Sequence, residues 1–333
     1  MHMPRRIRLA GLAIGGSLVI AACGGGGSDE KSSSAPPSVE RNLLPATADS
    51  AVTTGLEANV VINPTPAVAA AHKLFVFLPG TDGVPDMYRF ILRSGTGRGY
   101  HAIGLNYQNG PAPVGLVCAT SSDPNCFWNV RREIISGQDV SNDISVTVPN
   151  AIVTRLTKAL TYLSQNSADE GWAQFLVNGA VDWSKVVVAG HSQGGGHAGV
   201  LAKLFTVSRA CYFSSPPDWD TVNQQPAPWE TSSQASASSP AVQFGLAGLQ
   251  DPSVPYSQLS VIWQSLGLAG PAVSIDGNTS FNGSHVLTTN AQPATMTGLG
   301  EPFHGVTVRD LYTPVTSSGA PVFDAAWAYL CFP

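Results

Sequence analysis

One short stretch of the chain, residues 182–197, constrains the fold more than any other. Residues 186–189 read Val-Val-Val-Ala, which indicates a buried strand, and the small and apolar residues 198–205 favour a helix. Between them, residues 190–194 read Gly-His-Ser-Gln-Gly and match the pattern G-x-S-x-G. In so tight a turn, Cβ atoms at positions 190 and 194 would collide with the neighbouring strand and helix, which explains the two glycines. The stretch therefore predicts a strand, a sharp turn that exposes Ser192, and a helix.

Strands and helices are predicted to alternate along the rest of the chain. This succession argues for an α/β fold, a mostly parallel central sheet with helices on both faces. Two regions lack periodicity: 107–137 is predicted to be a loop, and 214–240 is a polar segment that either caps a site as an insertion or packs its tryptophans on the body of the domain. The predicted strands are 59–64, 73–78, 102–106, 186–189, 210–213, 241–246 and 272–275, followed by a hairpin through 282–283, and the predicted helices are 87–92, 152–163, 198–205, 256–268 and 323–330.

The N-terminus has the parts of an export signal. Arginines within residues 5–8 form a basic region, residues 9–22 form an apolar region, and Ile-Ala-Ala-Cys at 20–23 closes it. This tetrapeptide resembles the bacterial lipobox, whose cysteine becomes lipidated. The apolar run is shorter than the ~20 residues that a membrane span needs. We therefore expect a signal peptide over 1–22 and a lipid anchor on Cys23, with an ordinary cleaved signal and a chance cysteine as the alternative.

Glycine, serine and proline are frequent in residues 23–50, especially in the first part of this segment. Such a composition cannot bury a core, so we expect a flexible linker. Residues 51–333 would then form one domain, because their number suits one large α/β domain better than two small ones. The net charge of −5 with only 12% charged residues offers no basic surface for nucleic acid.

Cysteine usage agrees with export. Four cysteines remain beyond the predicted lipidation site, an even number that suits an oxidising compartment. Among the three possible pairings we favour Cys118 with Cys126, across a short loop, and Cys211 with Cys331, between a central strand and the C-terminal helix. No spacing resembles a zinc site, and no metal or cofactor is expected. The predicted location is the bacterial cell envelope, through a lipid anchor in the membrane, or the medium.

The exposed serine of the turn is a candidate nucleophile. A serine hydroxyl needs a base that takes its proton and preorganised donors that meet the developing oxyanion. The amide of Gln193, at the start of the predicted helix, points at whatever Ser192 attacks. A glycine turn follows the predicted strand 73–78, and we assign the second donor to the backbone of Gly80 or Thr81, with a plain turn as the alternative.

Candidates for the base and its orienting acid come later in the chain. Asp251 follows the second predicted strand after the turn, and His304 follows every predicted strand, in a loop that can return over the serine. His285, in the predicted hairpin, is the alternative base. His191 and His197 flank the serine on a rigid turn, cannot fold back to act as its base, and are interpreted as structural. The alternative acids are Asp218, Asp220 and Asp276.

The chain order Ser192, Asp251, His304, together with the strand, turn and helix, resembles the α/β-hydrolase superfamily. The Leu-Pro-Gly-Thr turn at 78–81 and the phrase Gly-His-Ser-Gln-Gly-Gly at 190–195 are similar to its bacterial esterase and lipase branches. The resemblance covers roughly residues 58 to 333. A His-Gly-Gly-Gly signature is absent from the sequence, so the hormone-sensitive-lipase-like branch is not indicated.

The resemblance implies a serine hydrolase that cleaves carboxylic esters, small or polymeric, through an acyl-enzyme intermediate. Two alternatives stay open: a serine peptidase or amidase on the same fold, and a non-catalytic lipoprotein that binds a ligand or partner. A broad apolar pocket would favour esters, whereas a buried carboxylate or arginine in the pocket would favour peptide termini. The implied roles are nucleophile for Ser192, general base and acid for His304, orienting carboxylate for Asp251, and an oxyanion hole from the amides of Gln193 and of Gly80 or Thr81.

Overall fold

A computed structural model describes residues 38–110, 113–231, 234–298 and 301–333. They all belong to the larger of the two units of the chain, 35–333. The predicted signal peptide, the predicted lipidation site Cys23 and the first part of the predicted linker lie outside the described residues.

Nine strands of the described residues form one mixed sheet, in the order β1-β2-β4-β3-β7-β8-β11-β13-β12. From β4 to β12 in this order the strands run parallel. At the other edge, β2 runs antiparallel to both of its neighbours, β1 and β4. The other four strands pair as two short ribbons, β5 with β6 and β9 with β10. The strands are β1 (Val39–Leu43), β2 (Asn59–Asn63), β3 (Leu74–Leu78), β4 (His101–Gly104), β5 (Leu176–Val177), β6 (Ala180–Val181), β7 (Val186–His191), β8 (Arg209–Phe213), β9 (Trp219–Asp220), β10 (Gln225–Pro226), β11 (Gln243–Gly248), β12 (Val273–Ser274) and β13 (Val286–Thr289).

Helices cover both faces of the sheet. Successive side chains of β3 enter two different hydrophobic clusters, because neighbours in a strand point to opposite faces. Helices α4 to α7 line the first cluster, and α2 and α9 line the second. The α-helices are α1 (Pro45–Ala48), α2 (Arg89–Thr96), α3 (Val114–Ala119), α4 (Cys126–Ser136), α5 (Ile152–Asn166), α6 (Gln193–Leu204), α7 (Tyr256–Leu266), α8 (Pro302–Gly305) and α9 (Asp324–Cys331), and short 3₁₀ turns occupy Pro85–Tyr88, Val148–Asn150, Ala168–Glu170, Trp172–Phe175, Trp183–Lys185, Pro228–Glu230 and Pro240–Val242.

The predicted α/β class with a mostly parallel sheet is confirmed. Strand β7 is buried along its whole length between β3 and β8, and its Val-Val-Val-Ala run is the near-continuous apolar sequence typical of a parallel strand covered on both faces. This central position places the turn at residue 192 at the carboxyl edge of the sheet, among the loops that follow the neighbouring parallel strands.

Ordered structure begins earlier than the predicted linker boundary at residue 50. Strand β1 pairs along its length with β2, and its Arg41 forms an ion pair with Glu170 at 2.5 Å. Glu40, on the same strand, pairs with Arg89 and Arg93 of α2. The expected linker is thus wrong at its C-terminal end, because an antiparallel edge strand needs only half of its residues to be apolar and is easily mistaken for coil.

Two further predictions are wrong. Region 107–137, expected to be a loop, contains α3 and α4, and the Cys118–Cys126 disulfide joins these two helices across the short connection between them. The hairpin expected through Asn282-Gly283 is also absent, since β12 and β13 run parallel, with Val273 opposite Leu287. An Asn-Gly pair favours a tight turn, but β13, the strand after it, lies between β11 and β12 and pairs parallel with both.

Both predicted disulfides are present. Cys118 and Cys126 pair with Cα atoms 5.5 Å apart, and Cys211 and Cys331 pair with Cα atoms 6.0 Å apart. The second disulfide joins β8 to the end of α9, as expected. Disulfides persist in oxidising compartments, which agrees with export. Among the described residues, no helix combines the length and the apolar character needed to cross a membrane.

Candidate active site

Ser192 occupies the sharp turn between β7 and α6. Its backbone has φ 52° and ψ −121°, a region that residues with side chains rarely enter. Two hydrogen bonds to β8 and the residues after it hold the turn in place. The Ser192 amide donates to the Phe213 carbonyl of β8, and the Ser215 hydroxyl donates to the Ser192 carbonyl at 2.7 Å. The backbone strain is thus offset by contacts with neighbouring elements, and the half-buried side chain is left at the edge of the sheet.

The two glycines of the motif are where the chain approaches itself most closely. A Cβ on Gly190 would lie 2.3 Å from the carbonyl carbon of Gly194, and a Cβ on Gly194 would lie 2.1 Å from the carbonyl oxygen of Leu78. Both contacts are with backbone, which cannot move aside. This is the crowding that the sequence pattern predicted, and α6 consequently starts at Gln193 rather than at the predicted residue 198.

The structure brings Asp251 and His304 together. His304 Nδ1 lies 2.7 Å from Asp251 Oδ2, and the carboxylate is buried while the imidazole is partly exposed. The other oxygen of Asp251 accepts from the amides of Ser253 and Val254, which fixes its orientation. Since a carboxylate accepts, Nδ1 is the donor, and Nε2 of His304 is left to act as a base.

The side chain of His191, the residue before Ser192, contacts His304. The His191 ring, beside Ser192 in the chain, lies 4.6 Å from the His304 ring between centroids. Its Nε2 is 2.9 Å from the His304 carbonyl oxygen. Both residues are described, and no hydrogen bond joins the Ser192 hydroxyl to the His304 ring; such contacts are often long before substrate binds.

The alternative base lies at the opposite end of the sheet. His285 precedes β13, stacks on Phe244 with ring centroids 4.0 Å apart, and donates from Nδ1 to the Gln243 carbonyl. Gln243 is the first residue of the six-residue strand β11, whereas Asp251 follows that strand. A strand of this length spans about 17 Å. His285 is therefore remote from Ser192, and the position of a histidine along parallel strands decides between the two candidates.

None of the alternative acids contacts His304. Asp218 is fully buried and paired with Arg131, and Asp220 accepts from Asn223 on the surface. Asp276 lies in the loop after β12 and accepts from the Thr289 hydroxyl and the Asn290 amide. Asp251 is thus the carboxylate that reaches the imidazole.

The candidate oxyanion donors differ in what they bind. The Gly80 amide donates to the Tyr88 hydroxyl at 3.3 Å. The amides of Thr81 and Gln193 have no hydrogen-bond partner within the described part of the chain. A Cβ on Gly80 would lie 3.2 Å from the Ser192 Cβ, so this turn passes directly beside the serine. Of the two alternatives, Thr81 rather than Gly80 has an amide left to bind an oxyanion.

Gln193 also connects the loops around the site through its side chain. Its Oε1 accepts from the Thr81 hydroxyl and from the Val114 amide that starts α3, and its Nε2 donates to the Asn109 carbonyl. Asn109 in turn donates to the Gly80 carbonyl at 2.9 Å. Sequence reasoning assigned Gln193 only a backbone role and missed Asn109, because these contacts join residues 29 to 112 positions apart and leave no local pattern.

A buried charged cluster lies behind the turn. Arg131 of α4 pairs with both oxygens of Asp218 and donates to the Gln193 carbonyl at 2.9 Å. Trp229 donates to the same carboxylate, and Glu230 is fully buried beside it. Burial, followed by the neighbouring Asp218, raises the pKa of Glu230 well above its usual value. The cluster fixes the first turn of α6 from the interior, and no sequence signal pointed to it.

The segment 214–240 packs largely on the body of the domain. Trp229 is buried against Gly199 of α6, while Trp219, in the β9–β10 ribbon, lines a cavity of about 460 Å³ together with the Cys118–Cys126 disulfide. Another cavity, of about 430 Å³ and with a polar lining, adjoins the Gly80–Thr81 turn through Asp82 and Asn109. Both volumes lie in the range of small-molecule sites.

Comparisons with known proteins leave the site to be interpreted from its own geometry. No model of a known protein family matches the chain, and no curated protein matches it. The described residues contain no group of three or more histidine, cysteine, aspartate or glutamate side chains arranged to hold a metal ion.

Proposed function

We propose that this protein is a serine hydrolase of the α/β-hydrolase type that cleaves carboxylic esters through an acyl-enzyme intermediate. The observation that carries the proposal is the placement of Ser192, in a strained strand-to-helix turn, at the same edge of the sheet as the hydrogen-bonded pair of Asp251 and His304. A nucleophile, a base and an orienting carboxylate in this arrangement are what acyl transfer requires.

The roles follow from the contacts. Ser192 Oγ attacks the substrate carbonyl carbon while His304 Nε2 takes the hydroxyl proton. Asp251 holds the Nδ1–H at 2.7 Å, selects the tautomer and stabilises the imidazolium that forms. His304 then gives the proton to the leaving alcohol. In the second half, water loses a proton to His304 and attacks the acyl carbonyl carbon. The bond from that carbon to Ser192 Oγ then breaks, His304 returns the proton to Oγ, and the acid is released.

The oxyanion of each tetrahedral intermediate would be bound by the amides of Thr81 and Gln193. Neither amide has a hydrogen-bond partner among the described residues, and both adjoin Ser192, one across the Gly80 turn and one at the start of α6. The N-terminal end of a helix further favours negative charge at this place. Loss of one such donor raises a barrier by roughly 2.7–4 kcal/mol.

The test is labelling of the purified, disulfide-intact chain with a fluorophosphonate, followed by mass mapping of the modified peptide. We expect one adduct, on Ser192. It should be absent from Ser192→Ala and from His304→Ala and present in His285→Ala, the matched control at the far end of the sheet. A folded wild-type chain without an adduct would overturn the proposal and favour a ligand-binding role.

The preference for esters is tested separately. We expect turnover of p-nitrophenyl esters from acetyl to dodecanoyl, abolished in Ser192→Ala, and little turnover of the matching anilides. Anilides cleaved as fast as esters would instead indicate an amidase or peptidase. Because Ser192→Ala deletes one half-exposed hydroxyl, its thermal unfolding midpoint should match that of the wild type, which separates loss of chemistry from loss of fold.

We further propose that the protein is exported and held at a bacterial membrane by lipid on Cys23. The support is the basic and apolar N-terminal sequence ending in Ile-Ala-Ala-Cys, together with two disulfides that need an oxidising compartment. The full-length chain should incorporate an alkyne-labelled fatty acid and partition into detergent, and Cys23→Ser should do neither. Equal partitioning of the two chains would contradict the anchor.

A further inference from the structure

His191, the residue before Ser192, has a partner on each of its ring nitrogens. Nε2 lies 2.9 Å from the carbonyl oxygen of His304, and Nδ1 lies 3.1 Å from the hydroxyl of Tyr88. A carbonyl can only accept, so Nε2 carries the hydrogen. In the neutral ring Nδ1 is then the acceptor, and the Tyr88 hydroxyl donates to it.

The neutral state fits the surroundings of the ring. His191 is 3% exposed, and burial, followed by the nearby His304, lowers its pKa well below the usual value. Tyr88 is equally buried, and burial raises its pKa to about 12, so it stays a donor at neutral pH. The proton positions along this chain of contacts are therefore determined.

The contacts continue from Tyr88 to the turn that carries the predicted oxyanion donor. The Tyr88 hydroxyl accepts from the Gly80 amide at 3.3 Å. A Cβ on Gly80 would lie 3.0 Å from Nδ1 of His191, so this backbone rests directly against the imidazole. The His191 side chain thus connects the His304 carbonyl, through the Tyr88 hydroxyl, to the Gly80 amide beside Thr81. His191 is also the residue next to Ser192 in the chain.

We infer that His191 is a positioning residue of the site: it holds the His304 segment and, through Tyr88, the Gly80–Thr81 turn at fixed distances from Ser192. The inference rests on the proposed function. Its importance follows from where His304 sits, in the four-residue helix α8, whose own hydrogen bonds are few. A displacement of about 1 Å in catalytic groups can lower a rate about 100-fold.

The test compares the saturating rate of fluorophosphonate labelling and the probe's half-saturation concentration among variants. His191→Phe keeps a planar ring and removes both hydrogen bonds, so we expect the saturating rate to fall about 100-fold with little change in half-saturation. His191→Gln supplies an N–H and an acceptor on one side chain and should recover to within about tenfold of the wild type. Recovery by glutamine distinguishes hydrogen bonding from space filling.

Tyr88→Phe provides an independent variant in case His191→Phe does not fold. It removes one hydroxyl and keeps the ring packed against Phe77, and we expect a loss of about tenfold. His285→Phe, at the opposite end of the sheet, is the control and should label at the wild-type rate.

The outcomes separate this inference from the proposed function. A wild-type chain that is not labelled removes both. A labelled wild type, with His191→Phe and Tyr88→Phe equally fast, overturns the positioning role alone. Equal slowing in His191→Phe and His191→Gln would likewise overturn it, since ring packing and not the hydrogen bonds would then be what the site needs.

Discussion

Two carboxylates near the Ser192 turn, Asp251 and Asp218, each bind one basic side chain, yet the two pairs differ in their exposure and in how they reach the turn. Asp251 holds the ring of His304, whose backbone carbonyl is bound by His191. Asp218 holds Arg131, which binds the Gln193 carbonyl. The first pair is partly open to solvent, with 13% exposure of the imidazole, and the second is fully buried.

The comparison distinguishes a pair with a proposed role in catalysis, Asp251 with His304, from a pair that supports the turn, Asp218 with Arg131. An arginine side chain does not lose its proton at ordinary pH, and Arg131 binds both oxygens of Asp218. Burial by itself lowers the pKa of Arg131. The neighbouring carboxyl groups of Asp218 and Glu230 raise it by more, so the net shift of the pKa is upward. Asp251 commits one oxygen to backbone amides and the other to an imidazole that can gain and lose a proton. Under the proposed function, the buried pair supports the turn and the partly exposed pair takes part in proton transfer.

The largest expected effect is on activity, at the partly exposed pair of Asp251 and His304. Asp251→Asn should lower kcat/KM for an ester about 10⁴-fold, because the amide favours the wrong imidazole tautomer. The free energy of unfolding should change by less than about 1 kcal/mol, since the amide oxygen can still accept from Ser253 and Val254. Activity assays and urea unfolding on the same sample check both statements.

Asp276→Asn is the matched control, because Asp276 is a carboxylate at the same edge of the sheet that does not contact His304. It should retain activity within about tenfold of the wild type. The reverse result, with Asp276→Asn inactive and Asp251→Asn active, would transfer the orienting role to Asp276.

The next effect is on stability, at the buried pair. Arg131→Met should lower the free energy of unfolding by about 3–5 kcal/mol, because it leaves the Asp218 carboxylate buried without its counter-charge. The neighbouring Arg132→Met, on the same helix but half-buried against Trp128, should cost less than about 1 kcal/mol. Urea unfolding monitored by tryptophan fluorescence measures both, and equal costs would contradict the distinction between the two arginines.

The smallest effect is a pH dependence from the same cluster. The folded-state pKa of Glu230 is raised above its unfolded value, so its contribution to stability is present below pH 4.5 and is lost as pH rises towards the folded pKa. Glu230→Gln removes this titration and should lose less stability than the wild type between pH 5 and pH 7. The difference in slope is at most about 1.4 kcal/mol per pH unit. A Glu230→Gln curve parallel to the wild type would refute the assignment.

Much of the fold was accessible from the sequence. Apolar runs such as 186–189 and 74–78 fell on strands, and the helical spacing of Ile152, Leu156 and Leu160 fell on α5. These elements are reliable because burial on both faces demands continuous apolar residues and burial on one face demands a fixed period. Strand β1 and helices α3 and α4 escaped prediction, because an edge strand and helices with mixed surfaces carry weaker patterns.

In the candidate site, too, local features could be predicted from the sequence and long-range contacts could not. By itself the sequence determined the turn at Ser192, since its glycines are required by local backbone crowding, and it limited the base and the acid to a few residues. Tertiary structure alone placed His304, and not His285, beside Asp251 at the edge of the sheet where Ser192 lies, because the two histidines differ by the length of a strand in space and not by their local sequence. The tertiary structure alone also revealed the hydrogen bonds of His191, Tyr88 and Arg131 around the turn. Hydrogen bonds between residues far apart in the chain depend on how the sheet aligns those residues, and no local sequence spacing records that alignment.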